Sequence, residues 1–120
     1  MPIPTDYRDI VTLLAAKTRE GNVHWRRDRT NITLVVDQTK FALWIGTDEQ
    51  SEKRFIALGL YDARGNVIDV WIVDQSDSDY IEMHDFYQAA KRHALGLPDR
   101  LRKLTERISS MSVIGTPEEV

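Results

Sequence analysis

Residues 54–73 read RFIALGLYDARGNVIDVWIV, and few arrangements accommodate such a stretch. Two apolar segments flank the short polar run Asp62-Ala63-Arg64-Gly65-Asn66. The glycine supplies the positive φ that a bulged hairpin connection needs, so the stretch predicts two antiparallel strands folded back on each other. A sheet with one wet face alternates apolar and polar residues. Here one alternating set is Ile56, Leu58 and Leu60 with Ile68, Val70 and Ile72. The other is Phe55, Ala57, Gly59 and Tyr61 with Val67, Asp69, Trp71 and Val73. Both sets are apolar apart from one carboxylate, so both faces are expected to be covered at least in part.

The preceding residues supply more strands of the same kind. Val23–Arg27 alternates and has one charged face, which suits a short edge strand. Ile32–Val36 and Phe41–Thr47 follow, joined by polar turns, and the short links predict a meander. Its aliphatic face collects Ile32, Leu34, Val36, Phe41, Leu43 and Ile45 together with the first set above. The opposite face collects Trp44, Ala57, Gly59, Tyr61 and Trp71, with Val35 and Trp25 as outlying members.

Helices bracket the meander. Thr5 as N-cap, apolar residues from Ile10 to Leu14 and Gly21 as C′ residue predict a helix over Asp6–Glu20. Asp79 and Glu82 resemble a capping box for a second helix, whose stripe of Tyr80, Met83, Tyr87, Ala90 and Ala94 runs to Gly96. Pro98 suits the first turn of a third helix, with Leu101, Leu104 and Ile108 as its narrow stripe. The expected fold is therefore α+β: an N-terminal helix, an antiparallel four- to five-stranded meander and two C-terminal helices. Residues 1–108 form a single domain, and 109–120 are expected to be a mobile tail.

At 120 residues the chain is long enough for one real core. There is no cysteine, which excludes disulfides and thiolate metal sites. No apolar run approaches the roughly 20 residues that span a bilayer. Residues 1–6, MPIPTD, lack a secretory pattern, so a cytoplasmic protein without membrane contact is expected. The net charge of −3 argues against a dedicated DNA-coating protein. Its distribution is uneven. An acidic block runs from Asp69 through Asp74, Asp77, Asp79 and Glu82 to Asp85, and a basic block from Lys91 to Arg107.

Motifs for chemistry are scarce. His24, His84 and His93 lack metal-ligand spacing. The run Asp74 to Asp79 looks like a calcium loop, but Asp79 stands where an EF-hand needs glycine and Asp85 where it needs glutamate. It reads instead as a solvated, helix-capping loop. Phosphate cradles and nucleophile elbows are absent from the sequence. No cofactor and no metal is expected, and catalysis is not favoured. Asp69, a carboxylate among apolar neighbours, is expected to find a partner such as Arg54 or Arg64 near a sheet margin.

Three functional readings follow. The first is a non-catalytic interaction or regulatory module that self-associates or binds a protein partner, using Trp44, Tyr61, Trp71 and Asp69. The cover on that aromatic face would be one of its own helices, a second copy or a ligand. The second is a nucleic-acid-associated regulator using Arg26, Arg27, Arg29, Arg100, Arg102 and Lys103. The third is a small-ligand binder or enzyme around Asp69, with Tyr61 and His24.

Overall fold

The computed structural model describes residues 2–115. A 3-10 turn at Thr5–Tyr7 leads into α1 (Arg8–Arg19). Five strands follow: β1 (Arg26–Asp28), β2 (Asn31–Val36), β3 (Thr39–Thr47), β4 (Arg54–Tyr61) and β5 (Val67–Asp74). Then come α2 (Tyr80–Ala94) and α3 (Leu97–Ser110). The strands form one antiparallel sheet in chain order, β1 to β5, so the fold is the α+β meander that the periodicities predict. No helix among the described residues is long and apolar enough to cross a membrane.

Local chemistry explains most boundaries. Gly21 takes φ +80° after α1, and Asn22 N–H reaches back to the Lys17 carbonyl, closing the helix end as a left-handed cap. Asp37 and Gln38 both have positive φ and make the two-residue link between β2 and β3. In the β4–β5 connection Gly65 sits at φ +85°, and the Asp62 carboxylate accepts the N–H groups of Arg64 and Asn66. The first helix does not start on a Thr5 side-chain cap; the chain enters it through the 3-10 turn. β1 is also later than the alternation suggests, because Trp25 turns inward and leaves only Arg26–Asp28 to pair. Of the expected tail, Ser109 and Ser110 close α3, and 116–120 lie outside the described residues.

α1 and α2 pack on the same face of the sheet. Val11 and Ala15 from α1, and Met83, Phe86, Tyr87 and Ala90 from α2, meet Ile32, Leu34, Phe41, Leu43, Ile56 and Leu58. Trp25 closes this core edge-on to Phe86, and its indole N–H donates to Thr18 Oγ1 at 2.8 Å. Thr18 in turn donates to the Leu14 carbonyl of α1, so both buried polar groups are satisfied.

The register of the organising hairpin differs from the alternation. Tyr61 pairs with Val67, but Leu60 pairs with Asp69, Leu58 with Trp71 and Ile56 with Val73. Ile68 is therefore an extra residue, a β-bulge, and every later residue of β5 changes face. Trp71 and Val73 join the core, whereas Val70 and Ile72 look outward. Trp71 and Asp69 thus do not share a face with Trp44 and Tyr61, which corrects the expected aromatic constellation.

Candidate interaction surfaces

With α1 and α2 on one face, the other face of the sheet is open. Trp44 and Phe55 stand half-buried on it, as does Tyr61, with Val70 and Ile72 exposed beside them. Its small residues explain how so apolar a surface is arranged. Ala57 is fully buried and Ala42 nearly so, although no helix among the described residues lies over them. The aromatic side chains lie down across the sheet instead. A Cβ at Gly46 would come within 2.5 Å of the Phe55 ring, and one at Gly59 within 2.9 Å of Tyr61 and 3.0 Å of Trp44. Of the three possible covers, a helix of the chain itself does not lie here among the described residues, and part of the covering is done by rings resting on glycines. Phe55 belongs to this group and was not among the sequence candidates; the signal was its cross-strand position opposite Gly46.

Asp69 sits at the margin of the helix-covered face. Its Oδ2 accepts the Tyr7 hydroxyl at 2.8 Å, and its Oδ1 accepts the N–H of Val70 at 3.0 Å. Tyr7, rather than an arginine, is the partner. Burial, and then the Asp69 carboxylate, push the Tyr7 hydroxyl up to about 12. Tyr7 also lies against Trp71, with ring centroids 5.4 Å apart. Tyr61 is on the opposite side of the sheet and His24 lies beside β1, so a ligand site joining Asp69, Tyr61 and His24 is not assembled.

The acidic block is largely engaged in structure. Asp79 accepts the Ile3 N–H and the Arg8 guanidinium, and Glu82 also meets Arg8, so these carboxylates anchor the N-terminal segment rather than form a capping box. The Ile3 N–H first, and Arg8 second, hold the Asp79 carboxyl below the usual range. Asp74 binds Ser76 within its own turn. Among the described residues, no three or more His, Asp or Glu gather as a metal-binding group.

The basic residues divide between two neighbouring hollows. Arg27 and Arg29 share one with Lys91 from α2, over Ile45 and Tyr87. Arg100 and Lys103 share the next with Arg107 and with Asp99, which pairs with Lys103 at 3.2 Å, and Leu95 belongs to both. Arg102 lies apart from that lining and pairs with Asp99. Arg26 lies opposite Thr33, away from Arg27. Lys91 and Arg107, the two ends of the basic block in the sequence, complete this basic elbow.

α3 is the least integrated element. None of its residues is buried, and α2 is the element it packs beside. Leu101, Leu104 and Ile108 are exposed, and Met111 continues their stripe just past the helix end.

Compared with models of known families, with curated proteins and with solved structures, the chain matches none.

Proposed function

We propose that the protein is a non-catalytic interaction module that works as a self-associated unit held together through α3. One observation carries this reading: Leu97, Leu101, Leu104 and Ile108 recur at four- and three-residue steps along a helix with no buried residue. An isolated helix of this length is marginal in water. A seam of that spacing is what a second helix of the same kind covers. With the stripe at the a and d positions, Arg100 and Arg107 fall at g. An antiparallel pair would set these arginines against each other, whereas a parallel pair sets Arg100 opposite Thr105 and gives Arg107 no helical position to face, since α3 ends at Ser110. Charge therefore favours two parallel copies about a two-fold axis. Trp44, Phe55 and Tyr61 then remain as the surface for a protein partner, since aromatic anchors contribute much of the energy at interfaces.

Light scattering on the full chain tests this. The expected mass is that of two chains, falling to one in Leu101→Asp/Leu104→Asp with helix content otherwise kept. A wild-type protein that scatters as one chain at every concentration removes the reading.

A second reading rests on the basic elbow. Arg27, Arg29, Lys91, Arg100, Lys103 and Arg107 line adjoining hollows, a density of cations that suits the phosphates of a nucleic acid. Single-stranded DNA binding that weakens steeply with salt and with Arg27→Glu/Lys91→Glu supports it; no binding at low salt excludes it.

A further inference from the structure

The two sides of the sheet end differently. At β5 the N–H of Val70 is taken by Asp69 and that of Asp74 by Asp77, at 3.0 and 2.9 Å. These two donors are occupied by side-chain carboxylates, a device that discourages another strand from pairing. The other side has no such guard. β1 reaches only to Arg26 opposite Thr33, so Leu34–Val36 of β2 have no strand outside them among the described residues. That edge carries no proline, no lysine and no carboxylate, and Val35 is 66% exposed.

This bare edge forms one wall of a groove of about 650 Å³. Leu13 and Leu14 of α1 and Val23 form the apolar part of the opposite side. The charged groups in the lining are Lys17 and Arg26, with His24 beside them, and no acidic residue takes part. An exposed strand edge beside alternating apolar pockets recognises an extended peptide by adding it as a strand. The basic rim selects one whose apolar residues are followed by carboxylates.

We propose that residues 111–120 of a second copy, MSVIGTPEEV, dock here as an added strand on β2. The β-branched Val113 and Ile114 suit a strand, and both are exposed, at 74% and 68%. Glu118 and Glu119 supply the carboxylates for Lys17 and Arg26. α3 buries nothing, and residues 111–115 that follow it are all exposed, so the start of this segment is available to a neighbour. The choice of a second copy rests on the self-association reading; the chemistry of the groove does not.

The test uses ¹⁵N-labelled full-length Leu101→Asp/Leu104→Asp protein, so that α3 pairing plays no part, titrated with the synthetic peptide MSVIGTPEEV. Saturable amide shifts at Leu13–Lys17 and Leu34–Val36 are expected. Affinity is expected to fall by about tenfold or more with the protein variant Lys17→Glu/Arg26→Glu, whose two sites are exposed, and with a peptide carrying Glu118→Lys/Glu119→Lys. No shifts, shifts centred on Trp44 and Tyr61, or binding indifferent to both charge reversals would each overturn the inference. Any of those results would leave pairing through α3 standing, since that is read from mass alone.

Discussion

The Tyr7 hydroxyl donates to Asp69 Oδ2 at 2.8 Å, tying the start of the first helix to the bulged end of β5. Replacing Tyr7 by Phe removes one charge-assisted hydrogen bond and is expected to cost of the order of 1.5 kcal/mol in urea denaturation. The bond also sets an alkaline limit. The folded hydroxyl titrates at about 12, above the ordinary value of 10.0, because burial and Asp69 disfavour its anion. Above its ordinary value the unfolded chain releases the proton first, so stability present below that pH is lost as pH rises toward the folded value. Denaturation midpoints measured across this window are expected to fall more steeply in the wild type than in Tyr7→Phe.

At the acid end the sign reverses. Asp79 is held below the usual carboxylate range by the Ile3 N–H and by Arg8. Its contribution is therefore present above the unfolded pKa, about 4, and is lost as pH falls through the lower folded value. Asp79→Asn is expected to lower the midpoint at neutral pH and to flatten this acid dependence. The measurement is urea denaturation between neutral pH and the acid transition.

The paved face gives a third expectation. Gly59 lies under Trp44 and Tyr61, and a methyl group there must lift one of the rings. Gly59→Ala is expected to cost about 1 kcal/mol. Trp25 and Trp71 are buried, so Trp44 is the indole whose surroundings change, and tryptophan emission should shift to the red. Unshifted emission would show that the rings do not rest on the glycine.

The element order was legible because each signal was local: helical stripes, alternation, and glycines at positions 21, 65 and 96 where φ is positive. The face of Trp71 was not, since the bulge at Ile68 adds one residue without a distinctive residue type to announce it. Asp79 and Glu82 misled for another reason. The spacing that makes a capping box also suits two carboxylates reaching one distant guanidinium, and Arg8 is more than 70 positions away in the chain. Nor does alternation tell a sheet covered by a helix from one whose own rings lie on Gly46 and Gly59. On the candidate surfaces, Arg100 and Lys103 were visible as a run, but their proximity to Leu95, and through it to Lys91, required the α2–α3 elbow.

Pairing through α3 is most directly tested by amide hydrogen exchange along Leu97–Ser110 as a function of protein concentration. Protection that is present in concentrated samples and lost on dilution, while α2 stays protected throughout, is the expected result. Rapid exchange in α3 at every concentration, or protection that does not change on dilution to a single chain, would contradict it.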